Sequence, residues 1–130
     1  MALGDLARKR NVVLVVEDDP PLRELYRASL TAAGYAVFAV EDGLDALRYV
    51  EVNRPAVIVL DIGLPRLSGV DVQRELAAHS TTQDIPLVVV TGDTSQINES
   101  DFSCVLKKPI DAHALIAAVH RCLTNLRRVK

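Results

Sequence analysis

Four apolar runs in this sequence are followed at once by side chains able to do chemistry. Glu17 and Asp18, with Asp19 behind them, follow VVLVV at 12–16, and Asp61 closes AVIVL at 56–60. Thr91 and Asp93 follow LVVV at 87–90, and Lys108 comes just after CVL at 104–106. An acid that ends a buried strand is held in place and has lost part of its solvent. If the acids of the first and third runs meet, each carboxylate pair at about 5 Å and an effective dielectric near 20 repels by roughly 3 kcal/mol. Positive charge must therefore be close. Lys108 supplies one unit, and the remainder calls for a hard divalent cation. All-oxygen ligation with several retained waters makes Mg²⁺ the natural choice.

The elements that must position these groups follow from periodicity. The runs at 12–16, 36–40, 56–60, 87–90 and 104–106 are continuously apolar and rich in Val and Ile, the habit of parallel strands covered on both faces. Between them, Leu22, Leu25, Tyr26, Ser29, Leu30 and Ala33 fit one helical face, with Gly34 placed to end it. Asp42 can cap a helix carrying Leu44, Leu47 and Val50; residues 69–79 carry Val72, Leu76 and Ala77; Asp111 can cap a last helix carrying Leu115, Ala118, Val119 and Cys122. The fourth unit has only GDTSQINESDFS, which lacks an apolar face, so its helix is expected to be short, irregular or absent. Alternating strands and helices predict an α/β, doubly wound parallel sheet with right-handed crossovers. In such sheets ligands bind beyond the carboxyl ends of the strands, which is where the acids, Thr91 and Lys108 fall.

Composition narrows the function classes. A chain of 130 residues is expected to form one domain with its core at about 11–125, and residues 1–10 and 124–130 read as basic, solvated ends. The net charge of −2 sets up no field for a polyanion, so direct contact with nucleic acid is not expected. The apolar runs are far shorter than the roughly 20 residues that span a bilayer, and MALGDLARKR lacks the apolar core of a signal peptide, so a cytoplasmic protein without membrane contact is expected. Cys104 and Cys122 have no metal-ligand spacing and read as small buried or half-buried thiols. His79, His113 and His120 have no ligand partners nearby in the sequence and read as surface or partly buried residues.

VVLVVEDDPPLRELY, VIVLDIGLPRLSG, VVVTGD and KKP, in this order and at these spacings, resemble the receiver domain of two-component response regulators over about residues 11–125. The ordered set of four carries the likeness; none of the motifs does so alone. The resemblance implies a five-stranded, flavodoxin-like sheet of order 2-1-3-4-5, in which an Asp takes a phosphoryl group from a phosphohistidine of a histidine kinase or histidine phosphotransfer protein. Matched residue by residue, Asp61 is the phosphoacceptor. Asp18 binds Mg²⁺ directly and Glu17 through water, with Asp61 and the backbone carbonyl of Gly63 completing the protein ligands. Thr91 is the hydroxyl that follows the phosphoryl group, and Lys108, rather than Lys107, is the lysine before a cis proline, Pro109. Such a domain is no turnover enzyme in the ordinary sense. It catalyses its own phosphorylation and slow dephosphorylation, and signals to a downstream protein by contact.

Each residue also has a plain reading. Asp61 alone would be a helix cap or loop acid, Glu17 and Asp18 solvated acids, Thr91 a turn cap, and Lys108 half of a surface lysine pair. Two features depart from the family pattern. Val105 stands where most receivers have the aromatic residue that moves with the threonine, and Phe102 is not an obvious substitute; the segment from Thr91 to Lys108 is short by about a turn of helix. These favour an alternative, a phosphorylation-independent pseudo-receiver that only binds partners. A flavin-binding or phosphatase enzyme of the same topology would need a glycine-rich phosphate loop or a DxD nucleophile pair, and neither is present. The chain reads either as a stand-alone receiver or as one cut from a hybrid kinase or longer regulator.

Overall fold

The computed structural model describes residues 12–128, with side chains as far as residue 124. Branching at Cβ stiffens Val and Ile and suits them to a pleated backbone. Five such runs pair as β1 (Val12–Val16), β2 (Ala36–Val40), β3 (Val57–Asp61), β4 (Leu87–Thr91) and β5 (Cys104–Lys107), all parallel, in the expected flavodoxin-like order β2-β1-β3-β4-β5.

Among the described residues three α-helices cross between strands, α1 (Pro20–Ala32), α2 (Gly43–Val52) and α3 (Gly69–Ala77), and a fourth, α4 (Ala112–Arg128), follows β5. Each starts where a side-chain oxygen takes a free backbone N–H: Asp19 from Leu22 at 3.2 Å, Asp42 from Asp45 at 2.9 Å, Ser68 from Asp71 at 3.2 Å and Asp111 from Ala114 at 2.8 Å. Gly34, at φ 102°, closes α1, with the Tyr35 N–H reaching back to the Leu30 carbonyl at 3.1 Å.

The core lies in two layers. Helices α1 and α4 bring Tyr26, Leu30, Leu115, Ala118 and Val119 onto Val13, Val15, Val57, Val59, Val88 and Val90. On the other side, α2 and α3 lay Ala46, Val72 and Leu76 over Leu14, Val16, Ile58, Leu60 and Leu87. This explains the unbroken apolar runs of β1, β3 and β4, which are wrapped on both faces. The expectation of full cover fails for β2 and β5. Both are sheet edges and only half-buried, and Phe38 on β2 keeps 48% of its surface, stacked on Tyr49 with ring centroids 4.6 Å apart. An edge strand has one flank without a neighbour, which no feature of its own sequence reports.

Between β4 and β5 the chain makes no α-helix. It makes two 3₁₀ turns, Thr94–Gln96 and Glu99–Asp101, each opened by an Asp or Asn, Asp93 and Asn98, whose side chain takes the N–H two residues on. Phe102 ends this connection packed against the layer under α2 and α3. The stretch read as a solvated C-terminal end is helical up to Arg128; residues 1–11 and 129–130 lie outside the described residues.

Candidate functional site

Register builds the site. Val16 pairs with Leu60, so the next residues, Glu17 and Asp61, lie side by side at the carboxyl ends of β1 and β3. Side chains alternate along a strand, and Glu17 and Asp61 fall in line with Val13, Val15, Val57 and Val59, on the α1/α4 side. From β5, beyond Thr91 paired with Lys107, the Lys108 N–H bonds the Thr91 carbonyl at 2.8 Å. The Lys108 ammonium then reaches back across β4, with Nζ 3.2 Å from Glu17 Oε1 and 3.4 Å from Asp61 Oδ1. The Lys108–Pro109 peptide is cis.

Glu17, Asp18 and Asp61 each offer a carboxylate oxygen within 4.8 Å of the other two. Glu17 is 1% exposed and Asp61 8%, whereas Asp18 stands in solvent at the mouth. Burial, and then the neighbouring Asp61 carboxylate, push the Glu17 carboxyl from its ordinary 4.5 up to about 7, against the Asp19 N–H and Lys108, which favour its ionised form. Burial by itself would depress the Lys108 ammonium, but Asp61 and Glu17 together hold it above its ordinary range. One ammonium thus faces three acids, and Glu17 carries the strain of the imbalance. The donors are all oxygen, crowded and short of positive charge, a set that suits a hard divalent cation.

The other sequence-predicted residues take different places. Thr91 is buried at the tip of β4, in line with Leu87 rather than with Val88 and Val90, and its hydroxyl donates to the Asp93 carbonyl at 3.2 Å while accepting the Asp93 N–H at 3.1 Å. Asp93 itself caps the first 3₁₀ turn. Gly63 is exposed in the loop after β3, where an added Cβ would meet nothing within 4 Å. Val105 is half-buried and paired with Val89. His79, His113 and His120 are exposed; Cys122 is buried and Cys104 half-buried, both as free thiols.

Two arginines at this end of the sheet carried no signal in the sequence. Arg23 on α1 donates through Nη1 to the carbonyls of Glu17 at 3.0 Å and Asp18 at 3.3 Å, which steadies the acidic turn from behind. Arg66, in the β3–α3 loop, pairs with Asp42 and Asp45 at the start of α2. The Arg23 bonds go to backbone carbonyls five and six residues back, a contact that residue type does not announce, and the partners of Arg66 lie more than twenty positions away.

A doubly wound parallel sheet of order 2-1-3-4-5, with three acids gathered beside Lys108 at its carboxyl edge, defines the class of flavodoxin-like α/β domain. The chain belongs to the response regulator receiver domain family, whose profile matches residues 13–120. It is 37% identical over 123 residues to response regulator MprA of Mycobacterium ulcerans, a match covering 91% of this chain and 51% of the relative, and 45% identical over 83 residues to MprA of Mycobacterium sp. (strain KMS), covering 64% and 35%. The chain therefore spans about half the length, or less, of these curated relatives. Among solved structures it is similar to a sensor protein from Polaromonas sp. JS666, with TM-score 0.81 and 31% identity over 90% of this chain and 98% of that one. It is also similar to the receiver domain of a Pseudomonas aeruginosa sensor histidine kinase, described with a magnesium ion coordinated in its active site cleft, with TM-score 0.80 and 28% identity over 88% and 98%. Among the described residues no helix is long and apolar enough to cross a membrane.

Proposed function

We propose that this receiver domain accepts a phosphoryl group on Asp61 from the phosphohistidine of a histidine kinase or histidine phosphotransfer protein, and passes the signal on through protein contacts. One observation carries the reading: Glu17, Asp18 and Asp61 share a 4.8 Å cluster that Lys108 closes from the far side. Asp18, Asp61 and the Gly63 carbonyl would hold Mg²⁺ directly and Glu17 through water. When bound, Mg²⁺ supplies the charge that lets an anionic phosphoryl group approach an anionic carboxylate.

The chain's own residues do the rest. Phosphoryl transfer through a loose transition state needs alignment and charge compensation more than a strong nucleophile. Asp61, fixed at the end of a rigid strand, attacks phosphorus in line through a carboxylate oxygen. The new O–P bond forms as the P–N bond to the donor imidazole breaks, and the electron pair returns to that nitrogen with a proton from solvent. Lys108, already 3.4 Å from Asp61 Oδ1, donates to a phosphoryl oxygen. The Thr91 hydroxyl turns from the Asp93 carbonyl to a second one. Hydrolysis by water restores Asp61 slowly, so the domain is a timed switch rather than a turnover enzyme.

The remaining expectations belong to the same reading: one receiver unit over residues 1–130, cytoplasmic, with a downstream protein as its target and no nucleic acid or membrane bound by these residues. The pseudo-receiver alternative draws on Val105 and on the two 3₁₀ turns that stand in the β4–β5 crossover in place of an α-helix. Intact mass after incubation with Mg²⁺ and acetyl phosphate decides between them. The wild type is expected to gain one phosphoryl group and Asp61→Asn none. A wild type of unchanged mass leaves only the binding module.

A further inference from the structure

Arg66 is the one non-glycine residue with positive φ among the described residues, at 63°. An L side chain in this left-handed region brings Cβ against its own carbonyl, so the conformation persists only where something holds it. Here the guanidinium does. Its Nε donates to Asp42 Oδ2 at 2.8 Å, and its Nη2 lies 2.6 Å from the same oxygen and 3.2 Å from Asp45 Oδ1. The Asp42 side chain is only 6% exposed and also caps α2 by accepting the Asp45 N–H. A buried carboxylate already fixed by a backbone bond is an anchor, unlike a pair of floppy surface charges.

The anchored loop is the one that leaves the tip of β3. The Ile62 carbonyl accepts from Leu64 at 3.0 Å and from Gly69 at 2.9 Å, and the Pro65 carbonyl accepts from Leu67 at 2.7 Å, so two tight three-residue turns centre on Gly63 and Arg66. Backbones touch on either side. A Cβ at Gly43 would collide with the Leu67 carbonyl oxygen, and one at Gly69 with the Asp61 carbonyl oxygen. Both bonds at the Gly63 turn go to the Ile62 carbonyl and neither to that of Gly63, which has no side chain with which to hold itself.

We propose that Arg66 is a positioning residue for the cation site: by tying the β3–α3 loop to the buried Asp42 cap of α2, it sets where the Gly63 carbonyl stands relative to Asp61, and thereby the affinity for Mg²⁺. The proposal rests on the cation site described under the proposed function. Arg66 pairs with Asp42 and Asp45, not with Glu17, Asp18 or Asp61. Its effect is on the freedom of a ligand-bearing turn, as outer partners that orient metal ligands have elsewhere.

Calorimetric titration of the full chain with Mg²⁺ tests this, on wild type, Arg66→Gly, Asp42→Asn and the double variant, with thermal melting alongside. Glycine is at home at positive φ, and Asn keeps a cap oxygen for the Asp45 N–H, so each variant removes the tie and spares the local backbone. Each single variant is expected to raise the Mg²⁺ Kd about tenfold. The double variant is expected to go no further than Arg66→Gly, because that substitution already removes the bonds to both Asp42 and Asp45. A melting midpoint close to wild type for Arg66→Gly separates positioning from folding. Wild-type Kd in both single variants, or two effects that multiply in the double, overturns the proposal while leaving the cation site standing. A wild type that binds no Mg²⁺ overturns both.

Discussion

Glu17 is the residue at which the site's charge imbalance becomes measurable. Its carboxyl titrates near 7 in the fold against an ordinary 4.5, raised first by burial and next by Asp61. Between these two values the folded state holds a proton that the unfolded chain has released, so stability falls as pH rises through that window and levels off above it. The loss is on the order of 3–4 kcal/mol, for about 2.5 pKa units at 1.36 kcal/mol each. Urea midpoints of Mg²⁺-free protein between about pH 4.5 and 8 are expected to decline accordingly, and saturating Mg²⁺ to flatten the upper part of the curve. A midpoint rising with pH would mean that Lys108 alone already neutralises the pair. Asp18 has the opposite character, since it is exposed and contributes oxygen rather than burial. Asp18→Ala is therefore expected to keep the fold and lose Mg²⁺ affinity; undiminished affinity would put the cation elsewhere.

At the scale of elements, the connection between β4 and β5 differs from the other three crossovers, each of which carries an α-helix. Two Asx-capped 3₁₀ turns stand there, and Phe102 packs inward against the α2/α3 layer while Val105 pairs with Val89. Phe102 thus serves packing under α3, on the side of the sheet away from Glu17, Asp61 and Lys108. Phe102→Ala is expected to lower stability by roughly 1–3 kcal/mol, as for a partly buried aromatic, and to leave the rate of phosphoryl uptake from acetyl phosphate unchanged. Slowed uptake would make Phe102 part of a switch that Val105 cannot provide. The helix starts at this end of the sheet also matter to the site. Asp19 opens α1 and Arg23, one turn in, bonds the carbonyls of Glu17 and Asp18, so the acidic turn is held by the helix it introduces.

For the molecule as a whole, a cation that binds the folded chain and not the unfolded one must stabilise it by mass action. At a hundred times Kd the gain is about 2.7 kcal/mol, which raises the melting midpoint of a domain of this size by roughly 5–10 °C. Wild type is expected to show this shift with Mg²⁺ at constant ionic strength, and Asp18→Ala to show almost none of it. Equal shifts in the two proteins would reduce the effect to general screening of the acidic cluster.

The strands, the caps at Asp42 and Asp111, and the acids and lysine at the strand tips were legible in the sequence, because each is a local pattern: an apolar run of strand length, an Asp ahead of a helical period, a charge directly after buried residues. The polar run after β4 likewise announced that its helix would be short or absent, and two 3₁₀ turns stand there. Missing from the sequence were the half-exposure of β2 and β5 and the hold of Arg23 and Arg66 on the two loops. Whether a strand is an edge depends on which other strands pair with it. The tie from Arg66 to Asp42 joins residues 24 positions apart, and the bond from Lys108 to Glu17 joins residues 91 apart. Periodicity runs along one segment, whereas these contacts are set by the parallel register and crossovers that bring distant segments to the same end of the sheet. The chemistry was thus written locally, and its alignment was decided by packing.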